Sequence, residues 1–327
     1  MTSGGPPTAA APEVGPEPPT MALHAWSSAK YAFPLPAAHR FPIAKYALLR
    51  ERVIAEGILS PERLHDPAPV SREDLLLVHT ADYVDRFTRG VLSPDEVRRV
   101  GFPWSEALVE RSYRSAGGTI EGARHAVVHG MAMNLAGGTH HAFPAHGEGF
   151  CVFNDVALAI RVLQREGAIG RAAVIDLDVH QGNGTHAVFA GDDYVYTFSM
   201  HGGRNYPFHK VPGRLDLELA DGTRDDEYLS LLEEALPRVL SAAGADIVMY
   251  LAGADPHEHD RLGRLGLTFD GLAQRDELVL AHAERAGAPV VVVIGGGYGE
   301  PIEDTVRIHT MTARIAARYA AHYAGAR

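Results

Sequence analysis

The sequence predicts an α/β protein built on one open, mostly parallel central sheet with helices on both faces. From about residue 115 onward, short apolar runs alternate with stretches of helical periodicity. The apolar runs are rich in β-branched residues and lack polar alternation, which is typical of strands buried on both faces. Strands and helices that alternate with modest connections favour a doubly wound sheet.

Five strands and five helices are predicted in this part of the chain. In chain order, the strands are expected at residues 131–135, 172–177, 194–199, 246–251 and 290–294. The helices fill the gaps and are expected at residues 115–128, 155–166, 226–243, 272–286 and 302–322. No repeat or linker divides them, so residues 21–327 are expected to form a single domain.

The first 20 residues have a different composition from the rest. Residues 1–20 contain six prolines and no Lys or Arg, and they are expected to form a disordered tail. They lack the basic and apolar regions of a signal peptide. No apolar run approaches the length of a membrane span. The expected location is therefore the cytoplasm.

Charge and cysteine content limit the classes of function. The formal net charge is −11, which argues against nucleic-acid binding and is compatible with cationic substrates. Cys151 is the single cysteine, against 18 histidines, so a disulfide framework and a cysteine-based zinc cluster are both excluded. Any metal site must therefore use His and carboxylate ligands. Cys151 itself stands in an apolar context and is expected to be a packing residue.

Polar or glycine-rich sequence follows each predicted strand. These stretches are GGTHH at 137–141, DLDVH at 176–180, MHGG at 200–203, GAD at 253–255 and GGGYG at 295–299. In open parallel sheets, ligands bind beyond the carboxyl ends of the strands. We therefore expect the five stretches to converge on one site.

The stretch at 172–186 contains the strongest candidate metal ligands. Asp176, Asp178 and His180 alternate with apolar residues, so a continuing strand would place them on one face. Taken alone, the pattern fits equally well a strand end with aspartates that cap the next helix. Asp255 could supply a third ligand, or could be a turn residue before Pro256. Three protein ligands would leave the open position that is typical of catalytic zinc.

Two adjacent histidines and a tyrosine are the candidate acid–base and oxyanion groups. His140 and His141 could work as base and acid, with Asp176 and Asn183 orienting them. A paired histidine on a loop is otherwise often a solvated surface feature. Tyr298 lies in a glycine turn and could donate to an oxyanion. The alternative is a phosphate-binding glycine loop, although the Walker lysine is missing.

Together these motifs resemble the zinc-dependent histone deacetylase family, which has the arginase-deacetylase fold. The matching stretches, in family order, are GGTHH at 137–141, GFCVFND at 149–155, DLDVHQGNG at 176–184, GAD at 253–255 and GGGY at 295–298. Asn183 and the stretch DRLGRLGL at 260–267 make the chain most similar to class IV and its bacterial relatives.

The resemblance implies a role for each matching residue. Asp178, His180 and Asp255 would bind one catalytic Zn²⁺, although ligand type alone does not separate zinc from Fe(II). His140 would pair with Asp176 and His141 with Asn183, and His141 would be the general base and acid. Tyr298 would stabilise the oxyanion. The residues expected to line the acyl-lysine channel are Gly149, Phe150, Tyr206 and Leu262. A structural K⁺ ion is expected at Asp176, Asp178, His180, Ser199 and Met200.

The activity implied is removal of acetyl or longer fatty acyl groups from lysine side chains of proteins by metal-activated water. An acetylpolyamine or other small acylated amine is the alternative substrate. A manganese ureohydrolase would need a further carboxylate where this chain has Gly182, and a catalytically inactive scaffold would usually lack the tyrosine or a metal ligand. The chain departs from class I enzymes at residues 101–104 (GFPW), which replace their acidic rim residue. Residues 22–64 are expected to cap the pocket or form an interface.

Overall fold

A computed structural model of the chain describes Met1 and residues 23–325. The expected tail at 1–20 lies outside the described residues apart from Met1. The strands are β1 (His24–Trp26), β2 (Leu64–His65), β3 (Met131–Asn134), β4 (Ala172–Asp176), β5 (Val195–Gly202), β6 (Leu215–Leu219), β7 (Ile247–Leu251) and β8 (Val290–Val293). They form one eight-stranded sheet in the order β2-β1-β3-β8-β7-β4-β5-β6.

Every neighbouring pair in this sheet is parallel. The helices are α1 (Lys45–Ala55), α2 (Arg72–Leu75), α3 (Ala81–Thr88), α4 (Pro94–Val100), α5 (Glu106–His129), α6 (Asp155–Arg165), α7 (Asn183–Val188), α8 (Asp225–Ala243), α9 (Phe269–Arg285) and α10 (Ile302–Gly325). The longer helices fall into two groups: α5 packs with α6, whereas α1, α10, α9 and α8 pack in succession. The predicted open α/β fold is confirmed.

The strand sequences explain why the sheet lies inside the molecule. All residues of β3, β4, β7 and β8 are buried. β8 is four consecutive valines, whose branched side chains fit the pleat on either face. Burial on both faces is the property that the missing polar alternation predicted.

The sheet order brings the candidate site together. The five predicted strands are those that lie side by side in the order β3-β8-β7-β4-β5. Because all are parallel, their carboxyl ends meet at one edge of the sheet. The GGTHH, GGGYG, GAD and DLDVH stretches therefore begin next to one another.

The structure corrects one geometric expectation about the metal stretch. β4 ends at Asp176, so Asp178 and His180 lie in the loop that follows rather than on one face of a continuing strand. Leu177 N–H still donates to Leu251 O on β7 at 3.1 Å, but further along Val179 N–H donates at 2.9 Å to a side-chain oxygen, Asp255 Oδ1, and the ladder with β7 is not continued. The loop, not strand alternation, aims the side chains.

A buried ion pair holds the loops after β4 and β7 in place. Arg275 on α9 is fully buried and donates through Nη1 to Gly253 O at 2.6 Å and to Leu177 O at 3.4 Å. Its charge is paired with Asp276, which also accepts from Tyr250 and Thr312. Both members of this ion pair therefore have further hydrogen-bond partners, as a buried charge requires.

Within the described residues, no helix combines the length and the apolar character needed to cross a membrane.

Candidate active site

Asp178, His180 and Asp255 meet beyond the ends of β4 and β7. Their ligand atoms lie within 4.8 Å of one another, and all three side chains are buried. His180 Nδ1 is 3.0 Å from Asp178 Oδ1 and 3.2 Å from Asp255 Oδ2. One imidazole and two carboxylates could hold a divalent cation and leave a further position open.

Glycines make room for these carboxylates. A Cβ at Gly296 would lie 2.0 Å from Asp255 Oδ2 and 2.7 Å from Asp178 Oδ2. The Gly296 N–H instead donates to Asp178 Oδ2 at 2.6 Å. Burial, and then the neighbouring Asp178 carboxylate, raise the pKa of Asp255 to about 7. A bound cation would relieve this repulsion, so the residues fit a metal ion.

His140 and His141 lie beside this group with their ring centroids 4.1 Å apart. His140 Nδ1 donates to Asp176 Oδ2 at 2.7 Å. His141 Nδ1 donates to Asn183 Oδ1, also at 2.7 Å. Because each Nδ1 is used as a donor, the second nitrogen of each ring is left for the reaction.

The two imidazoles differ in charge. Burial opposes a charge on His140, but the carboxylates of Asp176 and Asp178 outweigh it and raise its pKa to about 9. His141 has only a neutral amide as partner. Burial, and then the neighbouring His140 and His180 imidazoles, hold the pKa of His141 well below its usual value. Near neutral pH the site therefore holds a protonated imidazole next to a neutral one.

Glu148 extends the His141–Asn183 pair and is a residue that the sequence did not single out. Its Oε1 accepts from Asn183 Nδ2 at 2.7 Å and from the Tyr206 hydroxyl at 2.8 Å. The Asn183 amide is thereby fixed with its carbonyl oxygen towards His141. The only sequence signal was the position of Glu148 directly before the 149–155 motif.

Tyr298 shares a cavity with the metal group and the two histidines. This cavity is about 40 Å³ and is lined by His140, His141, Asp178, His180 and Tyr298 together with glycines and aromatic residues. Asp260 accepts from Tyr298 N–H at 2.6 Å, and Arg261 Nε donates to Tyr298 O at 3.1 Å. Burial raises the pKa of the Tyr298 phenol well above its usual value, so the hydroxyl stays protonated and can donate.

Lys45 lies behind the tyrosine and was also missed. It belongs to α1 and is buried, and its Nζ donates to Gly295 O at 3.4 Å and to Gly297 O at 3.3 Å. The same ammonium lies 5.5 Å from the centre of the Tyr298 ring. A lone lysine carries no spacing signal, so its place in the fold could not be predicted from sequence.

The four expected channel residues all line one wider depression of about 690 Å³ above this cavity. Gly149, Phe150, Tyr206 and Leu262 contribute to it, as do His141, His180 and Tyr298 at its base. Phe150 has a left-handed φ of 66°, an uncommon conformation for a residue with a side chain. Its N–H donates to Val100 O at 2.8 Å, which holds the strained backbone in place.

The residues expected to hold potassium come from two adjacent segments. Asp176 and Ser199 are register partners on β4 and β5, and Met200 follows on the buried strand. The Ser199 hydroxyl is hydrogen-bonded to His201 Nδ1 at 2.9 Å, and Asp176 Oδ1 accepts from Asp178 N–H at 3.2 Å. The expected potassium role of this set stays a prediction.

Other residues singled out from sequence take ordinary positions. Cys151 is buried, and burial raises the pKa of its thiol well above the usual value. His257 is buried with its ring 4.3 Å from the Phe269 ring, whereas Glu258 is exposed. His257, His259 and Asp304 form a second group whose ligand atoms lie within 4.8 Å of one another.

The 101–104 stretch (GFPW) lies at the depression and supplies no acidic side chain to it. Gly101 lines the depression, and Phe102 packs against Phe150.

The loop that carries the histidines is fixed from below by two buried polar residues. Asp155 accepts from the N–H groups of Gly138 at 3.1 Å and Thr139 at 2.8 Å. His79 Nδ1 donates to Phe143 O at 3.0 Å, and its Nε2 accepts from Asn154 N–H at 3.0 Å. Only the neutral imidazole satisfies both partners of His79.

We expect His79 to make the fold sensitive to acid. Burial lowers the pKa of His79 to about 4, whereas the imidazole has its ordinary pKa of 6.5 in the unfolded chain. Below pH 6.5 the unfolded state therefore binds more protons than the folded state, so stability is present above that pH and is lost as pH falls towards 4. The loss from this residue should be about 2 kcal/mol between pH 7 and pH 5.

The measurement is the free energy of unfolding in urea at both pH values for the parent and His79→Gln. The parent should lose about 2 kcal/mol more than the variant over this interval. Equal losses would show that His79 does not set the acid sensitivity.

The parallel sheet and the site at its edge define an α/β enzyme with acid–base groups and a possible metal site in one cavity. The histone deacetylase domain family matches residues 39–313. The chain belongs to this family, and the predicted resemblance is confirmed.

Three similar proteins illustrate the relationship. An uncharacterized protein of Picosynechococcus sp. is 46% identical over 286 residues, covering 88% of this chain and 95% of that protein. Histone deacetylase 2 of Arabidopsis thaliana is 34% identical over 270 residues, covering 80% and 70%. A crystal structure of an HDAC homolog complexed with SAHA superposes with a TM-score of 0.80 at 26% identity, covering 91% of this chain and 84% of that one. Family membership implies a hydrolase that acts on acetylated substrates.

Proposed function

We propose that this protein hydrolyses acyl-lysine side chains, with Zn²⁺ held by Asp178, His180 and Asp255. One observation carries the proposal. A neutral and a protonated imidazole, a protonated tyrosine and a possible metal group all face the same 40 Å³ cavity. Hydrolysis of an amide needs this combination: a base for water, an acid for the leaving amine and donors for the oxyanion.

The donor set favours zinc. One imidazole nitrogen and two carboxylate oxygens are borderline-to-hard ligands, and three ligands are the catalytic rather than the structural number. Zinc, when bound, would polarise the amide carbonyl and lower the pKa of a bound water towards neutrality. Potassium at Asp176, Asp178, His180, Ser199 and Met200 is part of the same proposal as a structural ion.

His141 is the proposed general base. Its neutral form has a free nitrogen, because Nδ1 is held by Asn183, and this nitrogen can take a proton from the attacking water. The same proton can then pass to the nitrogen of the leaving amine. His140 is hydrogen-bonded to Asp176, whose carboxylate favours the protonated imidazole, and this ring can support the negative charge that develops on the substrate.

Tyr298 is the proposed donor to the oxyanion. Its side chain lines the cavity and its hydroxyl is protonated, and its backbone is held by Asp260 and Arg261. A donor fixed before the reaction needs no reorganisation when the carbonyl oxygen becomes negative.

The shape above the cavity favours a slender substrate such as a lysine side chain. A Cβ at Gly149 would lie 2.7 Å from the His141 ring and 3.1 Å from the Tyr206 ring, so any other residue would block the approach to His141. The rings of His141 and Tyr206 stand nearly perpendicular, with centroids 5.0 Å apart. An acyl-lysine could reach the site past these rings with its methylenes against apolar surface.

The cavity beside the metal group is small, and a second cavity adjoins it. A second cavity of about 50 Å³ shares Phe41, Tyr46 and Phe150 with the first. An acetyl group needs only the first cavity, whereas a longer chain must enter the second, whose lining combines aromatic rings with the polar side chains of Arg111, Ser112 and Ser115. Acetyl and longer acyl chains are therefore both part of the proposal.

The test is turnover of zinc-loaded protein on lysine peptides carrying acetyl to myristoyl groups, with Tyr298→Phe as the matched variant. We expect release of the free amine, and a fall in kcat of about a hundredfold or more in the variant, because one oxyanion donor is lost. The preferred peptide identifies the acyl length. Stoichiometric zinc without turnover of any peptide would contradict the proposal.

A further inference from the structure

The mouth of the active site carries an unexpected concentration of positive charge. Six arginines line the depression above the catalytic cavity: Arg40, Arg98, Arg99, Arg204, Arg261 and Arg264. Among the described residues that line it there is no Asp or Glu. The chain as a whole has 41 acidic and 30 basic residues, so this surface has the opposite sign to the average.

Part of this charge is already neutralised. Asp221 lies 3.2 Å from both Arg204 and Arg264 and is shared between them. Arg261 lies 3.3 Å from Glu300, and Arg98 pairs with Asp95. Three carboxylates thus face four arginines, all of them at exposed positions where such pairs are weak.

Arg40 and Arg99 are the unneutralised members. Both are exposed, and neither makes an ion pair with any residue in the described part of the chain. Glu148, directly before the channel residue Gly149, is not available to them, because its oxygens already accept from Asn183, Tyr206 and His146. The mouth therefore has a surplus of guanidinium groups that can still bind an anion.

These arginines surround the route to the reacting groups. The depression that they line also contains His141, His180 and Tyr298. Arg261 donates to Tyr298 O at 3.1 Å and to Arg40 O at 3.4 Å, so the rim is joined directly to the tyrosine. The part of a substrate that stays outside the channel must lie against this rim while the acyl group is at the metal group.

We propose that the arginine mouth selects acylated amines that carry carboxylate or phosphate groups beside the acylated side chain, an acyl-lysine in an acidic peptide segment being the principal case. This inference rests on the proposed function and specifies its substrate class. Guanidinium groups bind carboxylates and phosphates in paired hydrogen bonds, and a cleft of one charge raises the local concentration of the opposite one. A polycationic substrate such as an acetylated polyamine is repelled by the same charges.

The experiment compares three peptides of equal length with one central acetyl-lysine, flanked by Asp and Glu, by Ala and Gly, or by Lys and Arg. Nα-succinyl-Nε-acetyl-lysine serves as a small anionic substrate and acetylspermidine as a polycation. We expect kcat/KM for the acidic peptide to exceed that for the basic peptide at least about tenfold, and to fall as ionic strength rises. The succinyl compound shows whether two carboxylates are enough for recognition by the arginine mouth when no peptide is present.

The variant Arg40→Glu/Arg99→Glu should remove most of this preference, because it reverses the two unneutralised charges. The neutral peptide should change less than about threefold. Arg238→Glu, an exposed arginine on α8 whose side chain is 70% exposed, is the matched control and should leave the order of the peptides unchanged.

Binding of the same peptides to Tyr298→Phe, measured by calorimetry, separates this inference from the proposed function. Tighter binding of the acidic peptide without turnover by the parent supports the arginine mouth and contradicts the deacylase. Equal turnover and equal binding of acidic and basic peptides, or a preference for acetylspermidine, overturns the inference. The proposed acyl-lysine hydrolysis then still holds if the acetyl-lysine peptides are turned over.

Discussion

Replacing Asp255 with Asn should remove metal binding and turnover together. Asn keeps an oxygen that can accept from Val179 N–H, as Asp255 Oδ1 does at 2.9 Å, so the loop should still fold. It removes one of the two carboxylates that could hold a cation beside His180. We expect kcat/KM to fall by about a thousandfold or more, because a site left with one carboxylate and one imidazole binds a cation weakly.

Bound zinc after dialysis and the thermal unfolding midpoint both check this prediction. Zinc should raise the midpoint of the parent protein, since a ligand that binds only the folded state stabilises it, and should not raise that of the variant. Asp304→Asn is the control, because Asp304 belongs to the second group of potential ligands with His257 and His259. A metal content that falls in Asp304→Asn but not in Asp255→Asn would assign the ion to the second group instead.

The second large effect should follow the loss of His141. His141→Gln removes the proposed base but leaves Asp178, His180 and Asp255 in place. We expect kcat to fall by about a hundred- to ten-thousandfold while bound zinc stays unchanged, because general acid–base catalysis typically contributes this much. Single-turnover kinetics with acetyl-lysine peptide and zinc analysis of the same sample provide the measurement.

Glu148→Gln is the comparison that tests the hydrogen-bond chain behind His141. Glu148 reaches His141 only through the Asn183 amide, so its loss should lower kcat by about tenfold, well short of the His141 effect. A His141→Gln variant with kcat within threefold of the parent would exclude His141 as the base. An effect of Glu148→Gln as large as that of His141→Gln would place the carboxylate itself in the reaction.

The central part of the fold could be predicted because its local pattern is strong. The predicted strand at 172–177 ends one residue beyond β4, and the predicted helix at 155–166 ends one residue beyond α6. β1 and β2 have three and two residues and were not predicted, because so short a run has no periodicity of its own. The helix expected from residue 115 begins at Glu106 instead, after the Ser105 side chain caps it by accepting from Leu108 N–H.

Like the fold, the candidate site could be predicted only where local sequence carries a strong pattern. His140, His141, Asp178 and His180 lie in compact motifs, so local sequence was enough to single them out. The six arginines of the mouth come from four separate parts of the chain, and no spacing connects residue 40 with residue 264. Such a surface exists only after folding, and overall composition pointed the other way, towards cationic substrates.

Lys45 connects helix α1, which packs on α10, to the loop that carries Tyr298. Its helix, α1, packs on α10 near the end of the described chain, while its ammonium holds the carbonyls of Gly295 and Gly297 on the loop that carries Tyr298. A substitution that displaces α1 from α10 would therefore move the Lys45 ammonium away from the carbonyls that it holds. The packing of α1 on α10 thus contributes to the shape of the active-site loop from a distance, although no residue of α10 lines the catalytic cavity in the described structure.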